Sequence, residues 1–157
     1  MTGHVDIGSL LPHTYPMLLV DEVVHVVPGE RLVARKSVTC NEPWYARTGS
    51  DAPGTAYPPN LVLESWAQAA GALGLMSLPD TDHPPVLGSV TGVRFLTEVL
   101  PGAVLEHHVR LERMLKDVLL FSGSSMVAGA TVLTVERMVA AIRTVDQLRP
   151  QHLKERR

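Results

Sequence analysis

The stretch 60-NLVLESWAQAAGALGLMSL-78 carries a single charge, Glu64, and otherwise consists almost wholly of Ala, Leu, Gly and other small or apolar residues. Asn60 is a good N-cap and Pro79 a good stop, so the run reads as a helix. Its apolar residues fall on every side rather than along one stripe, and such a helix must be covered on more than one face. A sheet wrapped around it does that. No other feature limits the architecture as strongly.

The rest of the chain supplies the strands. Before the helix, 18-LLVDEVVHVVPGE-30 is a β-branched run stopped by Pro28-Gly29, and 31-RLVARKSVTC-40 alternates apolar and polar residues before slipping register, as at a bulge. After it come four strand-like runs, 86–96, 103–114, 118–127 and 130–142. Pro101-Gly102, Lys116-Asp117 and Ala128-Gly129 join them at hairpin spacings. The expectation is an α+β fold: an antiparallel sheet of about six strands wrapped around one long central helix. Residues 1–142 form a single domain in this reading, and 143–157 a polar, basic tail. A sheet of this kind has two open edges, so edge-to-edge dimerisation is expected.

With 157 residues and a net charge of -2, the chain is large enough for one ordinary core and has no basic surface to attract nucleic acid or an anionic membrane. The N-terminal apolar runs are broken by Pro12, Pro16 and Asp21, so neither a signal peptide nor a spanning helix is expected, and the protein is placed in the cytoplasm. The lone Cys40 reads as a small buried hydrophobe and supports neither a disulfide nor a metal cluster; no metal and no cofactor are expected. The segment 43-PWYARTGSDAPGTAYPP-59 shows no periodicity and reads as a long ordered loop, a usual place for function.

The order of several short motifs resembles the (3R)-hydroxyacyl-ACP dehydratases, whose hot-dog fold is a sheet wrapped on a central helix. They are 11-LPHTYPMLLVDEV-23, Pro28-Gly29, 41-NEP-43, 64-ESWAQAAG-71, 93-VRF-95, 101-PG-102 and 127-VAG-129, spread over most of the chain. The resemblance implies a site at a dimer interface, where a loop histidine of one subunit faces the helix carboxylate of the other. Elimination of water from a 3-hydroxyacyl thioester needs a base for the C2 proton, an acid for the departing hydroxyl and a donor to the thioester oxygen. Glu64 matches the family's carboxylate. Tyr57 matches a tunnel-gating position, and Pro59, Asn60 and Gln68 are the further candidates for substrate contact.

Two parts of that machinery are missing. The family's loop histidine falls near Ser50, within Gly49-Ser50-Asp51-Ala52-Pro53-Gly54, and the sequence has no histidine between His25 and His83. Where the family has a glycine whose N–H serves the thioester oxygen, this chain has Pro59, which has none; Asn60 is the candidate substitute. His13 belongs to the LPHTYP segment, which the family keeps as a structural entry, while His25, His107 and His108 fall on strands and read as core or surface residues. Trp44, Tyr45 and Trp66 read as packing residues.

Three functions fit. The chain is one subunit of a heterodimeric dehydratase of fatty-acid or polyketide biosynthesis, Glu64 acting as acid toward a histidine of a homologous partner. Alternatively it is a non-catalytic module that binds an acyl-ACP or stabilises a partner, or a hot-dog thioesterase using Glu64 or Asp51 to activate water. In each case the expected partners are an acyl carrier protein with its phosphopantetheine-linked acyl chain and a second subunit, homologous or identical. The basic tail, with Arg149, Lys154, Arg156 and Arg157, is a further candidate contact to an acidic carrier.

Overall fold

In the computed structural model, which describes residues 5–48, 55–78, 85–116 and 118–142, the β-branched run before the first Pro-Gly turn becomes β1, Glu22–Val27, and β2, Arg31–Ser37, follows it. Gly29, at φ 80°, makes the turn between them. β2 keeps its alternation to the end, with Leu32, Ala34 and Lys36 all buried. The expected slip there does not occur; the ladder irregularity lies in β1, between Val23 and His25. Lys36 points inward because Glu42 meets its ammonium at 2.7 Å, a pairing that a buried charge requires.

Two short helices precede the long one: α1, Ile7–Leu10, capped by Asp6 through its carboxylate to the Gly8 N–H, and α2, Pro43–Thr48. The second corrects the expectation of an irregular loop throughout 43–59. Cys40, expected inside, is exposed, as is Trp44 at 40%.

The long helix, α3, runs Pro59–Ser77. Its N-cap is Pro58 and not Asn60, because a proline with its fixed φ fits the first helical position and leaves no N–H unpaired. Trp66, Ala69, Ala70, Ala72 and Leu73 are fully buried, and the small residues among them let the sheet approach closely. At the far end, the Ser77 hydroxyl donates to the Leu73 carbonyl and accepts from the Gly29 N–H, tying the helix to the β1–β2 turn.

The later strands are β3, Pro85–Phe95; β4, Val104–Leu115; β5, Val118–Val127; and β6, Ala130–Ile142. The sheet order is β1-β2-β4-β5-β6-β3, antiparallel throughout, so the six-stranded hot-dog arrangement is present. One connection differs from expectation. β3 and β4 are not a hairpin: β3 pairs with β6 at the edge, and the chain returns across the helix to place β4 beside β2. Pro101-Gly102 makes its turn against β2, where the Gly102 N–H donates to the Val38 carbonyl and the Val38 N–H to that of Ala103. No described helix is long and apolar enough to cross a membrane.

Candidate active site

Glu64 stands in the second turn of α3, on the side that faces the entry segment 11–20 and the start of β3. Its side chain is 33% exposed, so on a largely buried helix it edges a groove. The groove, about 320 Å³, is lined by apolar Leu11, Leu75, Leu87 and Met138 beside polar His13, Glu64 and Gln68. An apolar trough with a few convergent polar groups suits a small organic ligand.

Gln68, one turn beyond Glu64, is 2% exposed and uses its whole carboxamide. Its oxygen accepts from the Leu19 N–H at 2.8 Å, and its nitrogen donates to the Met17 carbonyl at 2.7 Å and to Glu64 Oε1 at 2.9 Å. The backbone N–H of Leu19 fixes which end of the amide is oxygen, so the nitrogen must face Glu64. Gln68, a candidate for substrate contact, lines the groove and also holds the carboxylate.

His13 was expected to serve the entry segment alone. The structure brings its Nε2 to 3.6 Å from Glu64 Oε1, with 36% of the side chain exposed, while its Nδ1 is buried without a hydrogen-bond partner. The signal was present in the motif itself, but nothing in a linear sequence says that residue 13 and residue 64 meet.

The remaining candidates lie elsewhere. Tyr57 and Pro59 line a second cleft of about 260 Å³ with Val62, Phe95, Leu96 and Val99. Tyr57 is 1% exposed, its N–H bonded to the Val99 carbonyl at 2.7 Å, and its hydroxyl is buried with no partner. Burial pushes that hydroxyl above the usual phenol range, and Glu42, Tyr45 and Asp21 push it further. In the single chain Tyr57 is packed into the wall of that cleft. Asn60 is exposed in the first turn of α3, one turn before Glu64. Ser50, Asp51 and His83 lie outside the described residues, as does the tail 143–157. Of the strand histidines, His107 is fully buried and His108 meets Glu106 at the surface at 3.0 Å. The Arg35 hydrogen bond holds the Glu106 carboxyl below the usual range against the opposing effect of burial, with a smaller contribution from the His108 hydrogen bond.

Comparison with known proteins places these observations in a family. A model of the FabA-like domain matches residues 11–136. The chain is 38% identical over 137 residues to a protein of Pseudoalteromonas translucida named 3-hydroxyacyl-[acyl-carrier-protein] dehydratase FabZ, covering 86% of this chain and 90% of that one. A protein of the same name from Anaeromyxobacter is 41% identical over 137 residues, covering 84% and 85%. Among solved structures, the dehydratase heterocomplex ApeI:P from Xenorhabdus doucetiae superposes with a TM-score of 0.76 at 20% identity, over 92% of this chain and 95% of that one, which is a likeness of fold.

Proposed function

The chain belongs to the FabA-like domain family, and from that membership we propose that it is a subunit of a dimeric 3-hydroxyacyl-ACP dehydratase, with Glu64 as the acid. The observation that carries this reading is the half-exposed Glu64 carboxylate held at an apolar groove by Gln68. Oε1 already accepts the Gln68 N–H, so Oε2 is the oxygen left to carry a proton toward a ligand. In the reaction a base removes the C2 proton, that electron pair forms the C2=C3 bond, and the C3–O bond breaks. The hydroxyl then leaves as water with the proton from Glu64.

The base is a histidine facing Glu64 from a homologous partner, since the loop position near Ser50 holds none in this chain. The acyl chain is delivered on the phosphopantetheine of an acyl carrier protein and lies along the groove. Asn60, one turn before Glu64 on the helix, offers its backbone N–H or carboxamide to the thioester oxygen in place of the donor that Pro59 lacks. The open β3 edge, where Val86, Leu87 and Phe95 are exposed, is the surface on which the subunits join.

A specific distance favours a second source for the base. His13 Nε2, 3.6 Å from Glu64 Oε1, gives the chain a histidine of its own at the groove, and a homodimer would then need no other. Formation of the conjugated enoyl thioester from a 3-hydroxyacyl-ACP separates the two. Under the first reading the chain alone is inactive and activity appears on mixing with a histidine-bearing homologue. Under the second the chain alone turns over and His13→Asn abolishes it. Release of free acid, or no turnover in either assembly, would contradict the dehydratase reading itself.

A further inference from the structure

Next to Glu64 on α3, Ser65 points the other way, into the core. There its hydroxyl lies 2.7 Å from His107 Nε2 on β4, and His107 Nδ1 lies 2.7 Å from the Ser125 hydroxyl on β5. All three residues are fully buried among the residues of the core. Polar groups at such a place cost stability unless each is paired, and here each is.

The directions of these bonds follow from a carbonyl. Ser65 Oγ is 2.6 Å from the Leu19 carbonyl, which only accepts, so the single Ser65 proton is committed to it. Ser65 can then only accept from His107, which places the imidazole proton on Nε2 and leaves Nδ1 to accept from Ser125. Burial, with His108 and Lys36 adding to it, pulls the imidazole down to about 3, so it stays neutral in this tautomer at ordinary pH. The donors run in one direction: Ser125 to His107, His107 to Ser65, Ser65 to Leu19. The Leu19 N–H then continues to Gln68 Oε1, and the Gln68 nitrogen to Glu64 Oε1.

We propose that His107 is a positioning residue for Glu64, acting through Ser65 and the segment Met17–Leu19 to fix the orientation of the Gln68 carboxamide. The proposal rests on the reading of Glu64 as the acid. Without the Nε2–H, the Ser65 hydroxyl loses the neighbour that orients it and becomes free to turn to a carbonyl of its own helix, a common alternative for a mid-helix serine. Leu19 then loses one of its two ties to α3. A loosened Leu19 N–H no longer dictates which end of the Gln68 amide faces Glu64, and a flipped amide sets oxygen against oxygen.

The test compares His107→Leu, which removes the donor, with His107→Gln, which puts an amide N–H near the place of Nε2. Two readouts are taken on the full chain in its active assembly: kcat and KM for dehydration, and hydrogen exchange of the Gln68 side-chain NH2 by NMR. His107→Leu is expected to lower kcat about tenfold, the worth of one buried hydrogen bond, with KM within about twofold. Gln68 exchange should accelerate about tenfold by the same measure, and His107→Gln should restore both. Unchanged kcat per folded molecule and unchanged Gln68 exchange in His107→Leu would overturn the proposal. Should that variant not fold, Ser65→Ala, a smaller change in the same relay, is read by the same two criteria. If the wild-type protein catalyses no dehydration, the functional reading falls, and the Gln68 exchange still decides the positioning role.

Discussion

Gln68 donates its N–H to Glu64 Oε1, which leaves Oε2 as the oxygen better placed to carry a proton. Gln68→Leu keeps the bulk and removes the donor, so kcat is expected to fall about tenfold with little change in KM; a large rise in KM with kcat intact would make Gln68 a substrate contact instead. His107 gives a separate expectation through pH. Its imidazole is held at about 3 in the folded chain against 6.5 unfolded, so below about 6.5 the unfolded chain takes up a proton that the folded chain refuses. Stability therefore falls as pH drops from about 6.5 toward 3, by roughly 1.4 kcal/mol per pH unit from this group. Denaturant titrations at several pH values should show a shallower acid loss in His107→Leu than in the wild type, and parallel curves would refute the assignment. Glu64 was legible because it sits in a recognisable motif. Gln68, one turn along the same helix, was within reach of the same reading, whereas His13–Glu64 and Ser65–His107 are contacts across the fold that leave no local pattern.

The helix α3 shows what a sequence can and cannot say about an element. Its apolar surface on all sides predicts burial by a wrapped sheet, and the observed span, Pro59–Ser77, agrees to about a residue. The strands 118–127 and 130–142 match the expected limits as well. The neighbour of β3 could not be read this way, because alternation tells which face a strand buries and not which strand lies beside it. Gly123 on β5 carries a contact of this unreadable kind. A Cβ there would run into the His108 carbonyl oxygen, the same atom that accepts the Trp66 indole N–H at 3.1 Å. Gly123→Ala is expected to destabilise the protein by about 1–3 kcal/mol, the usual range for overpacking, measured as a lower denaturant midpoint. A neutral result would mean that β4 and β5 can part without loss.

At the scale of the molecule, β3 leaves one edge of the sheet open, and Val86, Leu87 and Phe95 are exposed along it. Leu87→Lys places a charge on that edge, a common device against edge pairing, and, with the subunits joined there as proposed, should shift the sedimenting species from dimer toward monomer. A dimer that persists unchanged would put the interface elsewhere. The account as a whole rests on Glu64, and Glu64→Gln tests it while preserving shape and the capacity to accept the Gln68 N–H. In whichever assembly dehydrates a 3-hydroxyacyl-ACP, kcat of this variant should fall by about 10²–10⁴, the usual worth of a positioned acid, with KM within a few fold. Retention of wild-type kcat would contradict the assignment of Glu64 as the acid.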